Sequence, residues 1–582
     1  RVTPLVPRVG PVPGFLVLIG SGLAVGLIGV FVFVRARLDV EALGLEPLEA
    51  GSWYLIVAIG WLIVGRVSKR KYPTRGMPPM ATLAIAAVVL IGGFFATGTS
   101  LDPATATALN DDTKGARVLA AIGRKLSDRD GDGFSARLGG PDCDDSNPNV
   151  YPGAKESPGN GIDDNCVGGD RAISKEPAPV ASPSTAKAPA LERPKANLLI
   201  VAVDTVRADR LGIAGYRRDG KSLTPVLDAL AAQSSYFTRT YAQAPNTPRS
   251  FPSFFSSQFP SQVTVDKEFK NYSKVMDENA MFFEALRDGG WTTLGYSSHF
   301  YFKPERGITQ GFSDYDNEGA QDMAGSNKDI AAPRDVPKAQ KRLEQLAASG
   351  EKFAMFVHLF EPPSTYLKHE QFPITERGTA GLEQKYDYEI AFTDQWLGTL
   401  LSTLDSTKLS ENTIVVIVSD HGEAFGTHRV AGKRMFFHGQ TLYDELLRVP
   451  MIMRIPGVDA RRIEQPTMLR DLGPTRLGVL GIEAPASMKG RNLGPAIAGQ
   501  EQPGAYVYGE LLPAPSWNHA AKMVVSRDGR YKLIYRISDR RWELYDLEAD
   551  PTEQSNLYGK GNAIEAELVE EMTRWMEMDL SD

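Results

Sequence analysis

Two aspartates, a histidine and a threonine are the residues of this chain whose types and positions point most directly to chemistry. Asp204 ends the apolar run NLLIVAVD, and Asp420 ends the run NTIVVIVSD directly before His421. Carboxylate plus imidazole is a common ligand set for Zn²⁺ or Mn²⁺. A hydroxyl bound to such a cation loses its proton more readily and can attack a tetrahedral ester. Thr247, in the segment APNTPRSFPSFFSS, is the candidate nucleophile, although Asn-Thr-Pro is also ordinary turn chemistry.

The two apolar runs are the elements that must position these aspartates. They are rich in β-branched residues, and from residue 197 onward such short runs alternate with longer amphipathic stretches. This pattern is typical of an α/β domain with buried parallel strands. Ligands gather at the carboxyl ends of the strands in such sheets, so the sequence predicts Asp204 and Asp420 at the edge where chemistry occurs.

The histidines cluster in the same part of the chain. All but one of the seven lie between residues 299 and 438. The six are His299, His358, His369, His421, His428 and His438. A single histidine is more often structural, but three beside a metal-like motif, His421, His428 and His438, are better interpreted as ligands of a cation or an anion.

Residues 197 to about 560 resemble the sulfatase branch of the alkaline phosphatase superfamily, which also includes lipoteichoic acid synthases and phosphoethanolamine transferases. The matching segments occur in the family's order, and they include LLIVAVDTVRADRLG, APNTPRSFPSFFSSQFP, YDYEIAFTDQWLGTLLSTL, IVSDHGEAFGTHRVAG and HGQTLYDELLRVPMIMRIPG. The resemblance implies an alkaline-phosphatase-like α/β/α sandwich, with a catalytic domain over 197–582.

The resemblance also assigns roles to individual residues. It places Asp204, Thr247, Asp420 and His421 around a divalent cation, which could be Zn²⁺, Mn²⁺, Mg²⁺ or Ca²⁺. Thr247 would attack the ester, and His438 would hold the transferred anion or a second metal. His299 is added as a further catalytic candidate.

The chain departs from the sulfatase pattern at the nucleophile. A true sulfatase carries Cys or Ser in C/S-x-P-x-R, and that residue is oxidised to formylglycine. Thr247 occupies the position here and cannot be converted in this way, Pro248 follows it at once, and Phe251 stands where the family has arginine. The threonine matches the phosphoryl-transferring relatives better.

Two further departures concern the metal ligands. Thr205 replaces the second of two aspartates, and Pro363 stands where relatives often show a histidine. The first change implies fewer carboxylates around the metal. The second puts a second metal site or a substrate contact in question, with His358 and His369 as substitutes.

Three functions remain open on the sequence. The first is a membrane-anchored phosphotransferase that uses Thr247 to move a phosphoester or lipid headgroup to an acceptor. The second is a phosphodiesterase or sulfatase-like hydrolase with water as the acceptor and a lipid or glycan ester as substrate. The third is a non-catalytic binding or structural protein that keeps the fold, which the loss of histidine at Pro363 favours.

Residues 101–171 are predicted to form a small acidic module that is ordered by Ca²⁺, with a solvated acidic spacer as the alternative. Asp128, Asp130 and Asp132, followed by Gly133, reproduce the start of a calcium loop, but Gly139 stands where a bidentate glutamate would end it. The stretch resembles the two-cysteine, aspartate-rich metal-binding repeats of bacterial surface proteins. The other predicted Ca²⁺ ligands are Asp142, Asp144, Asp145, Asp163 and Asp164, and Cys143 is expected to pair with Cys166.

Three apolar stretches predict a transmembrane region over residues 1–100. They cover about 14–34, 52–65 and 80–98, and approach the ~20 residues that a spanning helix needs. The second is shorter, and a buried core helix is its alternative. The lipid bilayer is therefore an expected partner, whereas the net charge of −7 gives no reason to expect nucleic acid.

The basic residues between the second and third stretches set the predicted orientation. The loop RVSKRKYPTRG is strongly basic, so the positive-inside rule places it in the cytoplasm. The acidic module, a Pro/Ala-rich linker over 172–196 and the catalytic domain would then lie outside, on a bacterial inner membrane. Such a linker forms a semi-extended tether.

This topology predicts the behaviour of reporter fusions. A reporter that is active only outside the cytoplasm should work when fused after residue 110 and fail when fused at residue 72, within the basic loop. Activity of the residue 72 fusion, with a silent residue 110 fusion, would invert the orientation.

Overall fold

A computed structural model describes two parts of the chain. These are residues 122–170 and 191–577, with gaps at 139, 141, 152–153, 155–156, 158, 165, 167–169, 268–269, 321–330, 363–365, 431–432, 501, 515–516, 518 and 540. The three predicted membrane stretches, Gly139 and Pro363 lie outside the described residues. Across the described parts, none of the helices combines the length and the apolar character needed to cross a bilayer.

The large domain is built from strands and helices that alternate along most of its length. The strands are β1 (Asn197–Val203), β2 (Ser235–Tyr241), β3 (Thr292–Ser297), β4 (Asp314–Asp316), β5 (Phe353–Leu359), β6 (Thr413–Val418), β7 (Ala424–Val430), β8 (Lys433–Phe437), β9 (Arg448–Arg454), β10 (Arg461–Ile463), β11 (Thr467–Met468), β12 (Val507–Leu511), β13 (Ala521–Val525), β14 (Tyr531–Arg536) and β15 (Arg541–Asp546). The α-helices are α1 (Pro225–Ala231), α2 (Thr247–Ser256), α3 (Phe282–Asp288), α4 (Ala332–Ser349), α5 (Gly378–Ser406), α6 (Asp444–Leu447), α7 (Leu472–Val479), α8 (Gly494–Ile497) and α9 (Glu565–Glu577).

A mixed sheet forms the centre of this domain. Its strand order is β10-β2-β9-β6-β1-β5-β3-β4, with β11 also paired to β2. β1 lies between β6 and β5 and runs parallel to both, whereas β9 runs antiparallel to β6 and β2. Every residue of β1, β5 and β6 is buried, which is typical of strands covered by helices on both faces. The predicted α/β class and the two predicted strands are confirmed.

An aromatic cluster fills the space between α2 and this sheet. Phe251 makes an edge-on contact with Phe302, at 4.8 Å between ring centroids, and Phe255 makes similar contacts with Phe282 and Phe356 at 5.4 and 5.2 Å. Edge-to-face pairs at these distances add to the free energy gained from burying the rings. The cluster fixes α2, whose first residue is Thr247, against the central strands.

A second, antiparallel sheet in the order β12-β13-β14-β15 follows, and α9 packs on it. A buried ion pair links this sheet to α6 of the large domain. Lys532 on β14 is fully buried, with its Nζ 2.8 Å from Asp444 Oδ1 and 2.9 Å from Glu553 Oε1. Two carboxylates are therefore available to compensate the buried ammonium group.

The acidic module contains a short helix over 122–127 and irregular loops after it. Cys143 and Cys166 form a disulfide, with 5.5 Å between their Cα atoms, as the sequence predicts. Phe134 stacks on Tyr151 at 5.9 Å between ring centroids and supplies a small apolar centre. With so little apolar surface to bury, the module depends on cross-links more than on a core.

The predicted linker is shorter than the sequence suggested. Leu191 is buried, and the Arg193 N–H donates to the Val479 carbonyl at 2.6 Å. Residues 191–196 therefore already belong to the large domain, because they carry an apolar side chain and a backbone contact that a free tether would lack.

Candidate active site

The central strands bring the predicted metal ligands together. Ala202 of β1 pairs with Val418 of β6, so Asp204 and Asp420, each two residues further on, leave the sheet side by side. One ligand atom from each of Asp204, Asp420 and His421 lies within 4.8 Å of the others, and all three residues are almost completely buried. The loop after β6 turns so that both Asp420 and His421 reach this point.

Thr247 lies at the same point, at the start of α2. Its Oγ1 is 3.1 Å from His421 Nε2. The other ring nitrogen, Nδ1, is 3.0 Å from the Gly422 carbonyl and donates to it, which leaves Nε2 free to accept the Thr247 hydroxyl or to bind a cation. Asn246 caps the helix by accepting from the Arg249 N–H at 3.2 Å. The positive end of the α2 dipole therefore faces the cluster.

His358 also belongs to the site, although the sequence indicated it only as a substitute for the histidine that is missing at Pro363. It lies on β5, beside Ala202, and its Nε2 is 3.4 Å from Asp204 Oδ2. Burial lowers the pKa of His358 to about 4, so the ring is neutral and can act as a ligand or a donor. Its neighbours in the strand are apolar, so no local pattern in the sequence indicates that this residue points at the site.

His438 supplies a positive charge next to the cluster. Its ring centroid is 4.5 Å from that of His421, and its Nδ1 is 3.2 Å from Oε1 of the buried Glu423. Burial alone would lower the pKa of His438, but the Glu423 carboxylate raises it to about 9. A cationic His438 is suited to bind an anion. Glu423 was missed by the sequence analysis, although it ends the DHGE motif.

His299 borders the site through aromatic contacts. Its ring centroid is 6.0 Å from that of His358 and 4.3 Å from that of Phe360. Its Nδ1 accepts the Tyr301 N–H at 3.2 Å. Burial lowers the pKa of His299 well below its usual value, so it is a neutral residue at the periphery of the cluster.

Two candidate histidines lie elsewhere. His428 binds Glu445 Oε1 through Nδ1 at 2.9 Å and stacks on Tyr443 at 3.5 Å between ring centroids. His369 has its Nε2 3.0 Å from Glu389 Oε2. Tertiary partners that the local sequence does not show hold both as structural residues. The prediction of a ligand was therefore wrong for His428, and His369 is not the substitute ligand that the sequence offered.

The buried charges of the cluster suit a divalent cation. Among the described residues, no hydrogen-bond donor is aligned with Oδ2 of Asp204 or with Oδ2 of Asp420. Burial raises the pKa of Asp204 to about 7, and burial together with the Asp204 charge raises that of Asp420 well above its usual value. A cation held by both carboxylates and His421 Nε2 would satisfy these oxygens and remove the repulsion. The residues therefore fit such a metal.

Comparison with protein families covers most of the large domain. Residues 196–482 match the family model described as sulfatase, and residues 432–579 match that of the C-terminal region of N-sulphoglucosamine sulphohydrolase. The large domain is a member of the sulfatase family. In the acidic module, residues 142–170 match a metal-binding motif, Cu-binding MopE.

Curated relatives of the sulfatase domain are sulfatases. An ulvan-active sulfatase of Formosa agariphila is 26% identical over 414 residues, which are 63% of this chain and 78% of the relative. A Δ4,5-hexuronate-2-O-sulfatase of Bacteroides thetaiotaomicron is 34% identical over 169 residues, which are 27% of this chain and 33% of the relative. The chain thus spans most of the first relative and about a third of the second. These matches confirm the prediction of a sulfatase-like enzyme.

Solved structures support the fold of the sulfatase domain. A 2-O GAG sulfatase superposes with a TM-score of 0.53 at 19% identity, over 66% of this chain and 91% of that one. A phosphonate monoester hydrolase of Agrobacterium radiobacter superposes with a TM-score of 0.52 at 18% identity, over 66% and 96%. The alkaline-phosphatase-like architecture implied by the sequence agrees with both.

The sulfatase domain has replaced the expected arginine by a core residue. Phe251 is fully buried, and its ring contacts Phe356 and His358 edge-on at 6.0 and 5.2 Å between centroids. No cationic side chain can occupy this place without breaking the aromatic cluster. The positive charge at the site comes instead from His438.

Thr205, which replaces the second aspartate, shapes the site through its backbone. Its φ of +58° lies in the left-handed region, which is strained for a β-branched residue. Its N–H points to Asp420 Oδ1 at 3.4 Å. The hydroxyl of Tyr386 on α5 donates to the Thr205 carbonyl at 2.8 Å and accepts from the Arg207 N–H at 3.0 Å. Helix α5 thus holds the turn that carries Asp204.

The Tyr386 hydroxyl should therefore be needed for both stability and turnover. Tyr386→Phe leaves the Thr205 carbonyl and the Arg207 N–H without their partner, and the free energy of unfolding should fall by about 1–3 kcal/mol. Urea denaturation measures the change. Tyr388→Phe is the control, because that ring lies on the same helix and stacks on Phe372. An equal loss in both variants would show that Tyr386 has no special role.

Proposed function

We propose that the protein is a metal-dependent hydrolase of phosphate esters in which Thr247 is the nucleophile. The observation that carries this proposal is the position of Thr247 Oγ1, 3.1 Å from His421 Nε2 within the Asp204, Asp420 and His421 cluster. A divalent cation held by these residues would lower the proton affinity of the threonine hydroxyl and polarise the ester.

The proposed reaction has two steps, in which individual residues of the chain have separate roles. In the first step Thr247 Oγ1 loses its proton to water and forms a bond to phosphorus, and the bond from phosphorus to the leaving oxygen breaks. In the second step water attacks the phosphothreonine and regenerates the hydroxyl. The cationic His438, held by Glu423, offsets the charge of the transferred group, and the α2 dipole acts in the same direction. The leaving oxygen takes its proton from solvent.

The side chain of Thr247 favours phosphate over sulfate as the transferred group. It cannot become formylglycine, so the usual sulfatase nucleophile cannot form here. Phe251 also removes the arginine that belongs to that nucleophile's motif. Sulfate-ester hydrolysis is the second candidate, because the ulvan-active sulfatase and the hexuronate-2-O-sulfatase are named for sulfated glycans. Transfer to an alcohol acceptor, as in lipid headgroup transferases, would use the same first step.

The proposed location is outside the cytoplasm, on a membrane. Its support is the three apolar stretches before residue 100 and the basic loop between two of them. The disulfide between Cys143 and Cys166 fits an oxidising compartment. A site on a tether above the membrane suits a glycan or soluble ester, whereas a lipid ester would require the domain to approach the bilayer.

Thr247→Ala should abolish turnover of bis-p-nitrophenyl phosphate, by at least about 10³-fold in kcat, while metal content measured by atomic absorption stays near that of the wild type. Asp420→Asn should lose both activity and metal. The double variant should cost little more than either single one, since residues that act in one step are strongly non-additive. Thr293→Ala, which changes a buried threonine bound to the Gly311 carbonyl at 2.6 Å, is the matched control.

Mass spectrometry after brief exposure to this diester should find a p-nitrophenylphosphoryl adduct on Thr247, because one p-nitrophenolate leaves and the other stays on phosphorus. Near wild-type turnover by Thr247→Ala would refute the nucleophile. Release of p-nitrophenol from p-nitrophenyl sulfate alone would favour the sulfatase alternative, and phosphorylated glycerol formed in glycerol-containing buffer would identify a transferase. A protein that holds metal but acts on none of these esters would be a non-catalytic relative.

A further inference from the structure

Five carboxylates of the acidic module converge from two loops. Ligand atoms of Asp128, Asp130 and Asp132 lie within 4.8 Å of one another. Asp142 and Asp145 come from the next loop, and Asp145 Oδ1 accepts from the Arg129 N–H of the first loop at 3.3 Å. The two loops are therefore in contact at their acidic faces.

Three of these aspartates divide their two oxygens in the same way. One oxygen of each binds the backbone: Asp130 Oδ1 accepts from the Asp132 N–H, Asp132 Oδ1 from Phe134, and Asp142 Oδ1 from Asp144, at 3.2, 2.8 and 2.9 Å. The second oxygen, Oδ2, is buried in all three and has no hydrogen-bond partner among the described residues. A buried carboxylate oxygen without a partner is costly, so something outside the chain is needed to satisfy it.

Asp142 is the carboxylate that most clearly requires a partner from outside the chain. It is only 3% exposed, which is unusual for an aspartate without a partner cation. Its Oδ1 accepts from the Asp144 N–H at 2.9 Å, so its carboxylate belongs to the same turn as Asp145, which contacts the first loop through the Arg129 N–H. The carboxylates of Asp132, Asp145 and Asp130 are near enough to repel it.

We propose that this cluster binds one hard divalent cation, Ca²⁺, through Asp128, Asp130 and Asp132, with Asp142 and Asp145 completing the site from the second loop. Carboxylates at alternating positions followed by Gly133 are the arrangement that Ca²⁺ loops use. Gly133 has φ +97°, as the turn in such a loop requires. The site extends upstream of the matched metal-binding motif, which begins at residue 142.

The ligand chemistry excludes copper at this cluster, although the matched motif carries copper in its name. Residues 122–170 contain neither histidine nor methionine. The two cysteine sulfurs are bonded to each other. Only oxygen ligands remain, and these suit Ca²⁺, Mg²⁺ or Mn²⁺ more than a soft ion. Flexible loops with several carboxylates favour the larger Ca²⁺ over Mg²⁺.

Two of the other predicted ligands bind within their own loops. Asp144 Oδ1 binds the Ser146 hydroxyl at 2.6 Å, and Asp164 Oδ2 accepts from the Ser157 N–H and from Asn160 Nδ2 at 2.9 and 2.8 Å. Asp163 is not in the group formed by Asp128, Asp130 and Asp132. The proposed site therefore leaves out Asp144, Asp163 and Asp164, since the density of aspartates in a sequence does not separate ligands from loop caps.

Cation and disulfide would act as two separate cross-links. The cation joins the loop of Asp128 to that of Asp142, and the disulfide joins the adjacent Cys143 to Cys166. In a segment with almost no core, the free energy of metal binding becomes free energy of folding.

The test uses the full chain with Asp204→Asn and Asp420→Asn, so that the catalytic cluster does not bind the added ion. After bound metal has been removed with EGTA, calorimetry should detect binding of Ca²⁺ that is added without any other cation. The added Ca²⁺ should also protect residues 128–170 from protease, whereas the large domain should resist protease with and without it. Asp142→Asn should weaken Ca²⁺ binding at least about tenfold. Asp144→Asn is the matched control, next to the cluster but outside it, and should bind Ca²⁺ normally.

Several results would overturn the proposal. These are the absence of Ca²⁺ binding, protection by Cu²⁺ or Mg²⁺ but not by Ca²⁺, and equal weakening by Asp142→Asn and Asp144→Asn. Thiol titration shows whether the disulfide survives in each variant. If Asp142→Asn exposes free thiols, Asp130→Asn replaces it, with the same tenfold expectation. Because the catalytic cluster is disabled in every sample, the outcome is independent of the proposed function.

Discussion

Repulsion between two buried carboxylates is the constraint on which the large domain depends. β1 and β6 are neighbours, so Asp204 and Asp420 emerge side by side, and both are almost completely buried. The surroundings reduce the cost in several ways. The Thr205 N–H points at Asp420, His438 carries a positive charge nearby, and His421 presents an unprotonated nitrogen. A divalent cation would complete this arrangement, and under the proposed function it would also activate the threonine beside it.

The fold uses distant elements to keep this arrangement rigid. The strained turn after β1 is held from α5 by one tyrosine hydroxyl, and α2 is held by packed phenylalanine rings and not by charges. Phe251 therefore has a structural role at a position where the sulfatase pattern has arginine. Under the proposed function, the domain would keep the two aspartates and the histidine as metal ligands and use a threonine in place of the usual sulfatase nucleophile.

The sequence predicted those parts of the site that have a local signature. Asp204 and Asp420 each end a β-branched run, and the predicted runs differ from the observed strands by only a residue or two. His358 and Tyr386 have no such signature, because one lies in a wholly apolar strand and the other on a long helix. His428 was wrongly predicted as a ligand because it is close to His421 in the sequence, and closeness in sequence does not place two side chains at the same point in space. In the acidic module, the disulfide followed from the count of two cysteines, whereas the roles of individual aspartates depended on loop geometry.

The lysine buried beneath α6 has a consequence for the boundary between the two sheets. Lys532 belongs to the C-terminal sheet, but one of its partners, Asp444, belongs to the helix that also carries Glu445, which lies 3.5 Å from Arg207 beside the catalytic cluster. A fragment that ended before the second sheet would remove Lys532, the buried partner of Asp444, and the Glu553 carbonyl that His428 contacts. The C-terminal sheet therefore cannot be removed without loss, because a shortened catalytic fragment would lack buried polar partners close to the candidate metal site.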